Sequence, residues 1–305
     1  MRPDYHWTFR QTLSRTLFAD FGKYAATTEL KPPATLESAA EKGQVAIIQP
    51  AWDGLYRNVL LCDPTICPGA VRTVWHTKPI THPEQHHRGQ RVFLHLHGSA
   101  YVLGDGRDLG IRFMSSLFLQ VCPESAILCP EYRLSSMSGG WFPAAFQDAV
   151  TAYSLVHGLE IPPQDIILSG DSAGAHLAIG LLRYINTNPD ILPEPAASLL
   201  WSPWPDMIID VDIANERPAT HVDHVAPELI AWAYREFLPR ADTGIARSDP
   251  YLSPVTAAIP TEVPIWVQWG AAEVLRPEIK KFVHVRESGA SNARVGTCEV
   301  PHCPS

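Results

Sequence analysis

The chain has 305 residues, 46% hydrophobic and 18% charged, a composition that fits a folded globular protein and excludes a disordered one. Its formal net charge of −8 is spread along the sequence without a basic block, which argues against nucleic acid or an anionic membrane as partner and for a small, uncharged or apolar ligand. No stretch reaches the roughly 18 apolar residues of a membrane span, and the first residues lack a signal-peptide core, so the expectation is a soluble, cytoplasmic protein.

Taken in chain order, Phe9, Leu13, Leu17, Phe18 and Phe21 recur at three- and four-residue steps and predict amphipathic helices packed on a larger body. Pro32-Pro33 breaks the pattern, and Ala34 to Lys42 fits one more short helix. From Gln44 the period becomes that of strands: Val45 to Ile48 and Val71 to Trp75 read as antiparallel or mixed edge strands. Thr77 to Gly89, rich in His and Pro, reads as a solvated loop; His86-His87 has no third ligand near it, so no metal site is expected there. The six cysteines include two pairs with four residues between them, wider than zinc clusters use, and read as thiols.

Arg91 to His97 and Ala126 to Cys129 are buried strands, and Phe142-Pro143 opens a helix that runs to about His157. A further apolar strand ends in Gly170-Asp171-Ser172-Ala173-Gly174, a helix follows from Ala173 to Tyr184, and Ala197 to Trp201 is the next strand. Near-continuous apolar strands alternating with helices imply a mostly parallel central sheet with helices on both faces. The rhythm stops between Asp206 and Asp249, where Pro227 to Leu238 reads as a helix with Leu229, Trp232, Ala233 and Phe237 on one side. Pro264 to Gly270 resumes the sheet, Pro277 to Val285 is helical, and Val295 to Val300 is the last strand. The expected organisation is one domain, 1–305, with a helical cap made by residues 1–43 and an insertion at 206–248.

Gly-Asp-Ser-Ala-Gly between a strand and a helix has the pattern of a nucleophile elbow, in which the flanking glycines leave room for a sharp turn that lifts Ser172 above the sheet. A serine hydroxyl is a poor nucleophile unless a base takes its proton and a carboxylate orients that base. In the chain order such sheets use, strand-end positions after Ser172 offer Glu273 as the acid and His302 as the base. Glu278 and Asp249 rival Glu273; His176, His221, His224 and His284 are weaker rivals of His302. An oxyanion hole requires backbone N–H groups at a close approach, which Gly98, Ser99 and Ala100, joined by Ala173, could provide. Tyr101, Trp204 and Trp232, with Trp141 and Phe142, suggest an apolar, aromatic-tolerant substrate pocket.

His97-Gly98-Ser99-Ala100-Tyr101 resembles the His-Gly-Gly-Gly motif of hormone-sensitive-lipase-like carboxylesterases, and other blocks agree in the same order. These are Glu131-Tyr132-Arg133-Leu134, Phe142-Pro143-Ala144-Ala145, Gly170 to Gly174, Asp249 to Pro254 and Gly270 to Leu275, a similarity covering about Val45 to His302. The resemblance implies an α/β-hydrolase fold, a helical cap, no cofactor, and hydrolysis of carboxylic esters with short or medium acyl chains. It assigns Ser172 as nucleophile, Glu273 as orienting acid and His302 as base. Ser99 and Ala100 stand where that motif has glycines, Glu131 where it often has Asp, and Ser135-Ser136-Met137 where it has Ala-Pro-Glu. Members of that group continue past the histidine into a helix on the sheet, whereas only Cys303-Pro304-Ser305 follow here, so the expectation is either a poorly anchored His302 with weak activity or a neighbouring subunit over that face. The reading is a serine hydrolase of a small ester or lactone with no metal and no nucleic acid, and with a homodimer as its protein partnership. A biosynthetic or detoxifying role fits it. The alternatives are a non-catalytic small-molecule-binding protein on the same fold, or an amidase or carbon–carbon hydrolase using the same triad.

Overall fold

The computed structural model describes residues 7–32, 44–207, 222–240, 243–289 and 294–301. The apolar runs come together as one eight-stranded sheet in the order β1-β2-β4-β3-β5-β6-β7-β8. The strands are β1 (Val45–Ile48), β2 (Val71–Trp75), β3 (Val92–Leu96), β4 (Ala126–Glu131), β5 (Ile166–Asp171), β6 (Ala197–Trp201), β7 (Ile265–Gly270) and β8 (Val295–Val300). β2 is antiparallel to its neighbours β1 and β4, and all other pairings are parallel. The carboxyl ends of β3 to β8 therefore share one edge, where such sheets place their ligands.

The helices among the described residues are α1 (Phe9–Thr28), α2 (Asp108–Val121), α3 (Ala144–Gly158), α4 (Ala173–Thr187), α5 (Pro227–Phe237) and α6 (Arg276–Gly289). Alternate strand residues feed opposite faces. Val92, Leu94 and Leu96 join the main core with Ala145, Phe146 and Leu177 from α3 and α4. Phe93, Ile127 and Cys129 meet Ile111 and Phe118 of α2 on the other face. Phe93 and Phe118 stack at 4.3 Å, a geometry worth roughly 0.5–1.5 kcal/mol beyond the burial itself. Helix α2 was absent from the expected elements, because Ile111, Met114, Ser115 and Phe118 mix polar with apolar residues along its inward face.

Helix α1 corrects one expectation. Its first turn is fixed by a capping box between Thr8 and Gln11, and its small residues Gly22, Ala25 and Ala26 are buried, with the helix lying against α5. Most of the predicted apolar stripe points away from the body: Phe9, Leu13, Leu17 and Phe21 are exposed, while Phe18, exposed as well, borders a cavity beside His224. Close approach of two helices favours small residues at the contact, and a Cβ on Gly22 would already sit 3.4 Å from Leu229 Cδ2. The predicted helix at Ala34 to Lys42 lies outside the described residues.

Candidate active site

Strand β5 turns into α4 at Ser172, whose backbone (φ 50°, ψ −115°) is one that L side chains rarely adopt. A Cβ on Gly170 would lie 2.3 Å from the Gly174 carbonyl oxygen, and one on Gly174 would lie 2.0 Å from that of Leu96. Only glycine fits at either place. The strained turn is held by its own backbone: the Ser172 N–H donates to Trp201 O (2.8 Å), and Ser172 O accepts from Trp204 N–H and His176 N–H (both 3.1 Å). Ser172 itself is partly exposed at the start of α4.

β3 runs beside β5, so the loop leaving it passes next to the elbow. A Cβ on Gly98 would be 2.2 Å from Asp171 Oδ2, which explains the glycine. Ser99, Ala100 and Tyr101 all have left-handed backbones (φ 73°, 61° and 65°). Ala173 is the first residue of α4. Among the described residues, no acceptor takes the N–H of Ser99, Ala100 or Ala173. The Tyr132 hydroxyl donates to His97 O (2.7 Å), and the Tyr132 ring stacks on that of His97 at 4.2 Å. Burial lowers the His97 pKa, and His97 Nδ1 lies 2.9 Å from Gly98 O. Behind the elbow, Trp201 Nε1 donates to Ser169 Oγ (3.1 Å), whose hydroxyl reaches His95 Nδ1 (3.0 Å). His95 Nε2 then faces Asp171 Oδ1 at 3.4 Å.

Glu273 follows β7, and its Oε1 accepts from the Ser202 hydroxyl (2.6 Å) and the Gly270 N–H (2.7 Å). Burial raises its pKa against these two donors. Ser202 sits between Trp201 and Trp204, the two residues that hold the Ser172 backbone, so the elbow and Glu273 are linked through one short segment. Glu273 borders a cavity of about 640 Å³ together with Arg10, Arg15, Phe18, Asp223, His224 and Pro301. Asp223 Oδ2 accepts from the Val274 N–H (2.8 Å), and its Oδ1 lies 3.2 Å from His224 Nδ1. Burial alone would raise the Asp223 pKa, but His224 and the N–H groups of Val274 and Val225 outweigh it, and the net shift is downward. The hydrogen bond to Asp223 raises the His224 pKa.

The predicted site residues thus fall in three states. Ser172, Glu273, Gly98, Ser99, Ala100 and Ala173 gather at the carboxyl edge of the sheet. His302 and His221 lie outside the described residues. Tyr101, Trp204 and Trp232 are buried and do not line the cavity at Glu273. Tyr101 instead stacks on Phe237 at 4.1 Å and reaches His176 Nδ1 with its hydroxyl (2.7 Å). His176 is packed in the core, with its Nε2 on Leu252 O (3.1 Å) and its pKa pushed down to about 4 by burial. Asp249 is occupied in a turn, accepting from the Tyr251 N–H (2.9 Å). Ser202, Asp223 and His224 were not foreseen as neighbours of Glu273; only the position of Ser202 just past a strand pointed toward the site. No group of three potential metal ligands occurs among the described residues, and none of their helices is long and apolar enough to cross a membrane.

A sequence profile described as α/β hydrolase fold matches residues 93–303, more than half of the chain. The chain belongs to the α/β-hydrolase family. This hydrolase is 32% identical over 216 residues to an acetyl-hydrolase of Streptomyces hygroscopicus, covering 70% of the present chain and 67% of the relative. It is 27% identical over 198 residues to an esterase of Acinetobacter venetianus, covering 63% and 60% of the two chains. Among solved structures it is similar to EstE5 soaked with p-nitrophenyl butyrate, with a TM-score of 0.61, 23% identity and coverage of 93% and 88%. It is likewise similar to an esterase of the bacterial hormone-sensitive lipase family, with a TM-score of 0.60, 22% identity and coverage of 94% and 89%. The resemblance to hormone-sensitive-lipase-like members is borne out, and the hydrolase is of the carboxylesterase type.

Proposed function

We propose that this hydrolase cleaves small to medium apolar carboxylic esters or lactones through an acyl-enzyme on Ser172. His302 takes the Ser172 Oγ proton as the oxygen attacks the carbonyl carbon, and Glu273 orients the resulting imidazolium. The carbonyl oxygen gains the negative charge and accepts hydrogen bonds from the N–H groups of Ser99, Ala100 and Ala173. The intermediate collapses, the alcohol leaves with the proton from His302, and a water deprotonated by His302 repeats the attack to release the acid and restore Ser172.

The observation that carries the reading is the strained backbone of Ser172, held between two glycines that nothing larger can replace. Strain of that kind is kept where it serves a function. Two further features support it: Glu273 is fixed by Ser202 and Gly270, and Pro301, the residue before His302, borders the same cavity. Helices α1 and α5 act as the cap; α1 contributes Arg10, Arg15 and Phe18 to that cavity.

A fluorophosphonate probe and p-nitrophenyl esters of increasing chain length test the proposal. Labelling of the parent on Ser172, absent in Ser172→Ala and in His302→Ala but kept in His224→Ala, is the expected result. A folded parent that neither labels nor turns over any ester would sink it and favour the binding-protein alternative.

A further inference from the structure

The strand ends behind the elbow carry a buried polar chain that the proposed reaction does not use. His95 is fully buried on β3 and lies level with Ser169 of β5. Ser169 Oγ accepts from Trp201 Nε1–H (3.1 Å) and has one other partner among the described residues, His95 Nδ1 at 3.0 Å. A hydroxyl has a single hydrogen to give, so Ser169 donates to Nδ1 and the ring hydrogen of His95 sits on Nε2. That atom faces Asp171 Oδ1 at 3.4 Å. The opposite tautomer would aim a lone pair at a carboxylate.

Asp171 precedes Ser172, and its second oxygen reaches the loop that follows β3: a Cβ on Gly98 would be 2.2 Å from Oδ2. Among the described residues, His95 is the one side chain paired with this carboxylate. Behind burial, the Asp171 charge adds to the rise in the Tyr132 pKa, and Tyr132 holds the His97 carbonyl at the base of the same loop. A negative charge in that place opposes the negative oxygen that Ser99 and Ala100 are proposed to receive, since like charges raise each other's energy where water is scarce. Asp171 is 39% exposed, so solvent screens part of that cost.

We propose that His95 is a positioning residue for the hydrolysis: its Nε2–H holds the Asp171 carboxylate and keeps that charge from the oxyanion developing at Ser99 and Ala100. The role rests on the acyl-enzyme reading of Ser172. The test crosses two substitutions and reads kcat and KM on p-nitrophenyl butyrate, with circular-dichroism melts confirming each fold. His95→Phe keeps the edge contact with the Phe118 ring but has no N–H to give, and it lowers kcat about tenfold with KM little changed. His95→Gln, which can accept from Ser169 and donate to Asp171, recovers kcat to within about threefold of the parent. In an Asp171→Asn background the same His95→Phe change costs less than about twofold, because the charge to be held is gone, whereas a merely structural His95 would cost the same in both backgrounds. Equal losses in the two backgrounds overturn the proposal, and so does a His95→Phe protein with the parent kcat. If His95→Phe does not fold, proton–nitrogen correlation spectra of the parent decide: a His95 ring hydrogen on Nε2 is expected, and one on Nδ1 alone overturns the proposal. A folded parent that turns over no ester overturns the reading of Ser172 and this role with it, whereas the preceding outcomes overturn the role alone.

Discussion

Replacing Gly174 by alanine probes the packing that joins Ser172 to the loop proposed as the oxyanion hole. The new Cβ would lie 2.0 Å from Leu96 O and 2.4 Å from His97 O, both backbone atoms that cannot rotate away. Real Cβ atoms essentially never come within 3.0 Å of such a neighbour, so α4 and the end of β3 must separate by about 1 Å. A misplacement of that size at a reacting centre costs on the order of 10²-fold in rate. Overpacking of this kind also costs about 1–3 kcal/mol. For 305 residues, at roughly 2.1 cal/mol/K of unfolding entropy per residue, that corresponds to a Tm about 2–5 °C lower. The control is Gly158→Ala at the last residue of α3, where a Cβ meets nothing within 4 Å, and where stability stays within about 0.5 kcal/mol of the parent. Ester turnover and a thermal melt of both variants are the assay. A folded Gly174→Ala protein with the parent kcat would refute the claim that this contact sets the relation between Ser172 and the N–H groups of Ser99 and Ala100.

Glu273→Gln keeps the acceptor oxygen used by Ser202 and Gly270 but removes the charge, so kcat falls by about 10³–10⁴-fold. Because burial raises the Glu273 pKa, the same variant melts no lower than the parent at neutral pH. Ser202→Ala frees one side of that carboxylate, and kcat drops by roughly tenfold to a hundredfold with KM little changed, read from steady-state kinetics on a p-nitrophenyl ester. Ser99→Gly relieves a left-handed residue at an exposed position, and the ratio of hexanoate to acetate turnover rises as the acyl space widens; an unchanged ratio places Ser99 away from the acyl chain. His176 stays neutral to about pH 4 in the fold but takes a proton near 6.5 when unfolded. Its share of stability is complete above about pH 6.5 and is lost as pH falls toward 4, about 3 kcal/mol in all. Urea melts at pH 7 and 4.5 show a smaller difference for His176→Gln than for the parent.

The inner sheet was readable in the sequence because parallel strands covered on both faces are written as near-continuous apolar runs, as in β3, β4, β5 and β6, whereas β2 and β8 carry Arg72, Thr73, Thr297 and Glu299 and stood out less. The elbow was readable because its glycines answer to local sterics, the 2.3 and 2.0 Å approaches at Gly170 and Gly174. Which face of α1 is buried was not, since the same three- and four-residue spacing describes a helix turned inward or outward. The surroundings of Glu273 were equally hidden: Asp223 lies 50 positions earlier, and only folding brings it to the Val274 N–H. Tyr101 read as a pocket wall because aromatic residues near a catalytic loop serve both purposes, and its hydroxyl on His176 is a contact that no local pattern encodes.

That contact reaches further than its two residues. Tyr101 closes the left-handed loop that follows β3, His176 sits one turn into α4, and Phe237, stacked on the Tyr101 ring, ends α5 while its carbonyl accepts from the Phe142 N–H (2.9 Å). One aromatic side chain thus ties three separate stretches of chain into a single cooperative unit. Amide hydrogens in 101–103, 176–180 and 233–237 should consequently exchange with solvent in one event, so that any opening of α5 is also an opening of the loop proposed to receive the developing charge.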